Sequence, residues 1–265
     1  MSLRVIVDGP RDPQFNMAVD EAVARLRYSS GYDTLRLYMW LPSGVSIGRR
    51  QDARRAARLE EVERLGFKLV RRPTGGAALL HPQDDEVTYS VVISSNHPLY
   101  ALDVASSAAR IAEGLAIAIR KLGLEAGTRG LGEPWFKDFC YVNPGSSDVI
   151  VNGKKVSGSA QRRDWGVILQ HGTLLLRYDH RLFSRVLSVG EDVGGGIAGV
   201  LELLETTIAG ILEALIEGFT EALGYRDFHR DSLSKEELSL ALELYREKYS
   251  KPEWNLDGVV AERWR

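Results

Sequence analysis

This sequence of 265 residues has a single cysteine, Cys140. One thiol can form neither an intramolecular disulfide nor a zinc site with several cysteine ligands, so both kinds of cross-link are excluded. The five histidines show no HExxH spacing or similar metal-binding pattern. We therefore expect no resident metal ion and no mechanism that depends on one.

Long apolar runs are also missing. No segment approaches the roughly 18 apolar residues that a membrane-spanning helix requires. The N-terminus lacks the charged and apolar regions of a signal peptide, which predicts a cytoplasmic protein without a membrane partner. The chain is nevertheless long enough to bury a substantial core.

An excess of charge of one sign is absent, because 34 lysines and arginines stand against 36 aspartates and glutamates. A nucleic-acid partner is therefore disfavoured. Five arginines still crowd one short segment: Arg49, Arg50, Arg54, Arg55 and Arg58. A solvated helix face would account for this cluster. The other interpretation is a docking surface for an acidic carrier protein, which long-range attraction would steer into place.

Residues 71–90 read RRPTGGAALLHPQDDEVTYS and join two predicted strands, 67–70 and 87–93. Paired glycines let a backbone adopt positive φ or approach a ligand closely. Guanidinium groups bind carboxylate or phosphate oxygens through two parallel hydrogen bonds. The pattern predicts an anion-binding turn between strands, although an ordinary hairpin with a charged rim would share these features.

Four segments in this order resemble the motifs of the lipoate–protein ligase and octanoyltransferase family: 16–22, 71–81, 153–160 and 170–176. The second is similar to the family form Arg-Arg-x-(Ser/Thr)-Gly-Gly-x-Ala-(Val/Leu)-x-His. The third, GKKVSGSA, is similar to Gly-(Arg/Lys)-Lys-x-(Ala/Ser)-Gly-(Ser/x)-Ala. One departure is Ala77, where the ligases have a third glycine. The four matches together extend over most of the chain.

Periodicity predicts an α+β fold, because strands and helices do not alternate strictly as βαβ units. The resemblance implies a central, mostly antiparallel sheet flanked by helices, as in the biotin/lipoyl protein ligase catalytic domains. Helix starts are expected at Asn16, Asp103 and Ser234, the last with a capping box to Glu237. Apolar spacing predicts helices over 17–28, 54–65, 104–122, 200–223 and 234–249 and strands over 35–40, 45–47 and 166–176. We predict a catalytic domain over residues 1–225 and a C-terminal helical extension, 226–265, packed on it.

An irregular stretch over 127–147 contains Cys140, and loops of that length are usually functional or mobile. A hairpin with a two-residue Asn152-Gly153 turn follows and carries Lys155. Later, the glycine-rich stretch 190–199 is predicted to be a flexible loop.

Cys140 has two interpretations from the residues alone. A lone cysteine is commonly a small buried hydrophobe, whereas a neighbouring cation would lower its pKa below ~8.5 and make it a nucleophile. The sequence does not show whether Lys155 touches it. In the cysteine-dependent octanoyltransferase branch, which this chain resembles most, a cysteine before the Gly-(Arg/Lys)-Lys motif carries an acyl thioester. That resemblance implies that Cys140 is the catalytic nucleophile and that Lys155 stabilises its thiolate.

Substrate-binding residues are expected in the same motif segments. They are Arg71, Arg72, Thr74, Gly75, Gly76, Ala77, His81, Gly158, Ser159, Ala160, His171 and Gly172. Backbone amides of the glycine segments would hold an oxyanion. Lys155 or His81 would accept the proton that an incoming lysine loses. Leucine, valine and isoleucine side chains of neighbouring strands are expected to line the slot for the fatty chain.

Three functions are compatible with these residues. A transferase would use no cofactor and would move octanoyl from an acyl carrier protein to a lysine of a lipoyl domain. That domain would belong to a 2-oxoacid dehydrogenase or be the glycine cleavage H protein. A ligase would use ATP and Mg²⁺ and hold a lipoyl-adenylate with Arg71, Arg72 and Lys155. The third function is a non-catalytic carrier-binding protein.

The cysteine favours the transferase, because the resemblance implies that ligases need none. The chain also leaves only about 90 residues after the last motif, which is not clearly enough for the accessory domain of a ligase. The chain keeps five side chains of the family, among them His81. A non-catalytic carrier-binding protein would not need all five, so they argue against this third function.

Overall fold

The computed structural model describes residues 2–128, 147–188 and 196–265. Cys140 and most of the glycine-rich stretch 190–199 lie outside the described residues. The strands are β1 (Ser2–Arg11), β2 (Thr34–Trp40), β3 (Gly44–Ile47), β4 (Lys68–Arg71), β5 (Leu79–His81), β6 (Glu86–Ser94), β7 (Ala126–Thr128), β8 (Val149–Val151), β9 (Lys154–Lys155), β10 (Ser157–Asp164), β11 (Val167–Leu175) and β12 (Asp227–Asp231). The helices are α1 (Pro13–Arg25), α2 (Arg27–Ser30), α3 (Ala53–Ala56), α4 (Leu59–Arg64), α5 (Val104–Lys121), α6 (His180–Val186), α7 (Ile208–Ala222), α8 (Lys235–Leu244) and α9 (Pro252–Asp257).

A six-stranded sheet in the order β10-β11-β6-β2-β1-β12 forms the centre of the molecule. The pairs from β10 to β2 are antiparallel, whereas β1 runs parallel to both β2 and β12. Two three-stranded sheets, β4-β3-β5 and β7-β8-β9, complete the strand content. The prediction of an α+β fold around a mostly antiparallel sheet is confirmed.

Helices cover both faces of the central sheet. Helices α5 and α7 pack on one face through Ile111, Leu115 and Phe219, whereas α1 and α8 pack on the other through Met17 and Leu244. Strands β6 and β11 are buried along their whole length for this reason. Double coverage therefore buries polar residues of both strands as well as apolar ones, among them Glu86, Thr88 and His171. It also means that polar groups on these strands need partners inside the protein.

Helix α1 begins earlier than the sequence suggested. Asp12 caps it by accepting from the backbone N–H groups of Gln14 (2.9 Å) and Phe15 (3.1 Å), and Pro13 occupies the first turn. An Asp-Pro start is favoured because proline is pre-set for the first helical turn and needs no N–H partner there. The predicted cap at Asn16 is therefore wrong, and this residue lies buried inside the helix.

Two other predicted helix starts are confirmed. Asp103 caps α5, and Ser234 caps α8 with a capping box to Glu237. The predicted helix over 54–65 is instead two short helices, because Ala57 is extended and bridges Leu187. The one predicted over 200–223 is a short 3-10 turn followed, after a break, by α7.

The C-terminal region is more than a helical extension. Its first element is β12, which pairs with β1 at the edge of the central sheet. An exposed edge strand with little apolar alternation has no clear sequence signal, so the pattern missed it. No helix within the described residues combines the length and the apolar character needed to cross a bilayer.

Candidate active site

The glycine turn between β4 and β5 wraps around the Arg72 side chain. Its guanidinium donates to the carbonyls of Gly75 (2.7 Å) and Ala77 (2.6 Å) and to the Ser46 carbonyl (3.2 Å) and hydroxyl (3.1 Å). Gly76 has φ +87°, and a Cβ there would lie 2.9 Å from Arg72 Nη2. A larger residue would therefore be strained and would collide with the guanidinium. Burial lowers the pKa of Arg72 to about 10, so the side chain stays cationic at neutral pH.

Arg71 points away from this turn. Its N–H groups donate to backbone carbonyls of two segments. In segment 48–51 the acceptors are Gly48, Arg49 and Gln51. In α9 they are Trp254, Asn255 and Leu256. The sequence suggested that Arg71 and Arg72 fork onto ligand oxygens. In the structure both guanidiniums are instead saturated by protein oxygens, which corrects that interpretation. Arg71 ties α9 to the turn region, and Arg72 frames the turn.

A small cavity of about 20 Å³, roughly the space that one buried water molecule needs, lies beside the turn. Residues of all four motif segments converge on it. Its lining consists of Met17, Tyr38, Trp40, Ser46, Arg72, Leu79, His81, Thr88, Ala160, His171, Gly172 and Thr173. Of the branched aliphatic side chains expected along the slot for the fatty chain, Leu79 lines this cavity, whereas many others on these strands pack into the core clusters. The lining of that slot stays a prediction.

His81 lies in the cavity wall within a chain of hydrogen bonds. Its Nδ1 bonds the Glu86 carboxylate at 2.9 Å, and its Nε2 bonds the Ser46 hydroxyl at 2.8 Å. The ring stacks on Trp40 with centroids 3.8 Å apart and planes 10° apart. Three strands and the indole thereby fix the position of His81, which is 3% exposed.

His171 forms a second chain across the cavity. Its Nδ1 bonds Asp20 at 3.0 Å and its Nε2 bonds the Thr74 hydroxyl at 2.6 Å, which links the turn to β11. Asp20 also accepts from Arg36 and Tyr38. Burial lowers the pKa of His171 even though Asp20 opposes the shift, so the imidazole is neutral at pH 7. Neutral Nε2 then accepts the Thr74 proton, because Asp20 accepts from Nδ1.

Lys155 sits next to this cavity. Its ammonium is buried and pairs with Asp148 at 2.7 Å. A Cβ built on Gly158 would lie 3.8 Å from Lys155 Nζ and 3.9 Å from the Leu79 side chain, and Leu79 lines the cavity. The expected nucleophile, Cys140, lies outside the described residues, so its distance to Lys155 is not part of this geometry.

The remaining predicted site residues occupy the same neighbourhood. Ser159 immediately precedes Ala160, which lines the cavity. The Ser159 hydroxyl donates to the Ser147 hydroxyl at 3.0 Å. At Gly172 a Cβ would lie 2.6 Å from the Gly158 carbonyl, so only glycine allows β10 and β11 to approach this closely. The glycine motifs therefore serve strand packing at the site.

Sequence reasoning missed several of these residues. Ser46, Trp40 and Asp148 belong to none of the four motif segments, and no local pattern marks them. Asp20 lies within the first motif segment, and Glu86 follows His81 by five residues, so each carried a weak signal. Within the described residues no group of three or more His, Cys, Asp or Glu side chains is arranged to hold a metal ion.

The arginine-rich segment forms part of the surface near the turn. Arg54 pairs with Asp257 at 2.8 Å and Arg55 approaches Asp52 at 3.9 Å, whereas the exposed Arg50 and Arg58 make no side-chain ion pair within the described ranges. The segment is thus largely solvated, and the docking interpretation stays a prediction.

Comparisons with known proteins agree with this geometry. Residues 12–220 match the family described as Lipoyl protein ligase A/B catalytic domain. Octanoyltransferase LipM of Brevibacillus brevis is 39% identical over 96% of this chain and 98% of that protein. Octanoyltransferase LipM of Kyrpidia tusciae is 40% identical over 95% and 97%.

Two solved structures are similar over almost the whole chain. A crystal structure of lipoate-protein ligase A bound with ATP gives a TM-score of 0.85 at 30% identity, with 98% of this chain and 100% of that chain covered. A bi-partite lipoate protein ligase of Thermoplasma acidophilum, studied with its E2 lipoyl domain, gives 0.83 at 30% identity with 99% of each chain covered.

Proposed function

Because this chain belongs to the lipoyl protein ligase A/B catalytic domain family, we propose that it is an octanoyltransferase of lipoate biosynthesis. Octanoyl would pass from an acyl carrier protein to Cys140 and then to a lysine of a lipoyl domain. One observation carries the proposal: motif residues converge on one cavity beside Lys155, in a chain whose relatives at 39% and 40% identity are octanoyltransferases. A cytoplasmic location and independence from ATP are parts of the same proposal.

The first step is a thioester exchange. The Cys140 thiolate attacks the carbonyl carbon of the carrier-bound thioester, a new C–S bond forms, and the carrier thiolate leaves with the electron pair. Thiolate replaces thiolate, so no proton is gained or lost overall. The Lys155 ammonium would stabilise the attacking thiolate, because a nearby cation lowers a thiol's pKa.

The second step forms the amide. The neutral lysine amine of the lipoyl domain attacks the acyl-enzyme carbonyl, a C–N bond forms, and the Cys140 sulfur leaves with the electron pair while the nitrogen loses a proton. The backbone N–H groups of Gly76 and Ala77 have no acceptor within residues 2–128, 147–188 and 196–265. We assign them to the developing oxyanion, which preorganised amides stabilise.

Intact mass spectrometry with octanoyl-carrier protein tests the proposal. Without nucleotide, the enzyme should gain one octanoyl mass that hydroxylamine removes, and a lipoyl domain added afterwards should take it up. Cys140→Ala should abolish both events. Lys155→Ala should slow acyl-enzyme formation most near neutral pH, where an unassisted thiol of pKa ~8.5 is mostly protonated. Lys154→Ala, on the same hairpin but exposed, is the matched control.

The structural similarity to the ATP-bound ligase favours a second candidate, an ATP-dependent lipoate–protein ligase. In that case Mg²⁺ and ATP would be required and an acyl-adenylate would replace the acyl-enzyme. Activity that depends on ATP and survives Cys140→Ala would establish the ligase and reject the transferase.

A further inference from the structure

Trp165 occupies a turn position that its side chain does not favour. With Gly166 it forms the two-residue turn between β10 and β11, and both residues have positive φ, 52° and 72°. Asparagine, aspartate or glycine usually fills the first of these positions, because a bulky side chain is strained there. Strained residues persist only where the surrounding structure holds them in place. The contacts of the indole ring must therefore offset this cost.

Two guanidiniums lie over the ring of Trp165. Arg25 of α1 is 4.7 Å from the ring centroid, and Arg162 of β10, which also pairs with Asp164, is 4.5 Å from it. Arg25 lies 5.4 Å from the ring centroid of Trp264 as well, and its buried Nη2 has no hydrogen-bond acceptor within the described residues. Cations interact with an indole face more strongly where water is excluded. This stack therefore joins the tip of the β10–β11 hairpin to α1.

Arg162 connects the stack to the glycine turn. Its Nη1 donates to the carbonyl of Pro73, where the turn begins, at 3.3 Å. The next residue, Thr74, bonds His171 through its hydroxyl and accepts from the Arg49 backbone N–H at 2.8 Å through its carbonyl. The start of the turn is thus held by three hydrogen bonds from three segments, and Arg162 supplies one of them.

We propose that Trp165 is a positioning residue for acyl transfer and that it acts through Arg162. The ring keeps the guanidinium against the Pro73 carbonyl, and this bond keeps the glycine turn in the place that transfer requires. The inference rests on the proposed function, in which the backbone N–H groups of Gly76 and Ala77 stabilise the oxyanion. Trp165 lies outside all four motif segments. The strain in its backbone is retained because the ring preorganises the turn.

Two substitutions separate the ring of Trp165 from its strained backbone. Trp165→Asn suits positive φ and a type I′ turn but has no ring. Trp165→Phe keeps an aromatic ring and leaves the strained φ as it is. If the ring positions Arg162, the asparagine variant should be slow although its turn is relaxed, and the phenylalanine variant should stay close to the wild type. A role in turn formation alone predicts the reverse order.

Octanoyl loading of the full chain from saturating octanoyl-carrier protein provides the measurement. Trp165→Asn should load about 10-fold more slowly, because a cation–π contact at a partly buried site is worth roughly that factor. The carrier concentration at half-maximal rate and the midpoint of thermal unfolding should not fall. Hydrogen exchange over 73–77 should accelerate in this variant and not in Trp165→Phe. Asp84→Asn, at another exposed turn residue with positive φ (65°), is the matched control.

Arg162→Ala, alone and combined with Trp165→Asn, completes the test. The double variant should load no more slowly than Arg162→Ala, because Trp165 acts through that side chain. Three results would overturn the proposal: wild-type loading by Trp165→Asn, equally slow loading by Trp165→Phe, and defects that multiply in the double variant. Failure of the proposed function is distinguishable, because the wild-type enzyme would then form no acyl-enzyme without nucleotide. Hydrogen exchange over 73–77 would still report whether the ring positions the turn.

Discussion

The charge state of His171 connects the stability of the protein to pH. Burial lowers the pKa of this imidazole, so the folded protein keeps it neutral where the unfolded chain, with an ordinary value near 6.5, takes up a proton. The unfolded state therefore binds more protons as the pH falls below about 6.5. Stability contributed by the neutral ring is present above that pH and is lost on acidification.

His171→Gln should remove this dependence, because a glutamine can still bond Thr74 and Asp20 but does not titrate. Between pH 7 and 5 the free energy of unfolding should fall less steeply than in the wild type, by at most about 2 kcal/mol over the range. Urea denaturation at three pH values provides the measurement. Parallel pH curves for the two proteins would show that His171 does not carry the effect.

Among the elements, α9 depends on one side chain of another element. Arg71, at the end of β4, donates to the carbonyls of Trp254, Asn255 and Leu256 in α9. Asn255 returns a bond by accepting from the Arg71 backbone N–H at 2.9 Å. Carbonyls near a helix C-terminus attract cations, so the guanidinium suits this place. The short helix is thereby held against the strand that leads into the glycine turn.

Arg71→Lys should loosen α9 although it keeps the charge. One ammonium cannot reach the carbonyls of both segments, and buried carbonyls without donors are costly, so we expect a loss of about 2–4 kcal/mol in the free energy of unfolding. Hydrogen exchange should increase over 252–257. Arg54→Lys is the control, because its pair with Asp257 on the same helix is exposed. Equal effects of the two variants would contradict a specific role for Arg71.

For the whole molecule, the C-terminal region is part of the fold rather than an appendage. Buried Arg4 on β1 bonds Glu237 of α8 at 2.7 Å, and buried Lys248 bonds Glu21 of α1 at 2.7 Å. Together with β12 and α9, these contacts tie 226–265 to the edge of the central sheet, to the face that α1 covers and to β4. The boundary near residue 225 stays a prediction, and these contacts pack residues 226–265 on the rest of the described chain.

The exposed arginines near the turn would act when the whole molecule meets a partner, because they were predicted to form a docking surface for an acidic carrier protein. If they steer an acidic carrier, Arg50→Glu with Arg58→Glu should slow transfer from carrier-bound octanoyl and flatten its salt dependence, because screening acts on long-range attraction. Steady-state rates at several ionic strengths provide the measurement. Arg226→Glu with Lys235→Glu makes the same charge change at other exposed positions. Unchanged rates at low salt would assign the cluster to ordinary solvation.

Local sequence determined those features whose causes lie within a few residues. Asn152 and Gly153 both adopt positive φ, 49° and 75°, as a type I′ turn requires, and Asp103 and Ser234 cap the helices that follow them. Each depends on backbone preferences or on hydrogen bonds to nearby amides. The family motifs could be recognised in the sequence for a similar reason, because each occupies one continuous segment.

Only the tertiary structure decided what the motif side chains do. Arg71 looked like a ligand-binding group, yet its Nε bonds the Trp254 carbonyl 183 residues away. The bonds between Ser46, His81 and Glu86 depend on how β3, β5 and β6 lie beside each other, and the pair of Lys155 with Asp148 depends on the fold of its hairpin. Polar partners across strands are set by sheet register and packing. These arise from burial of the whole apolar surface, which no short segment contains.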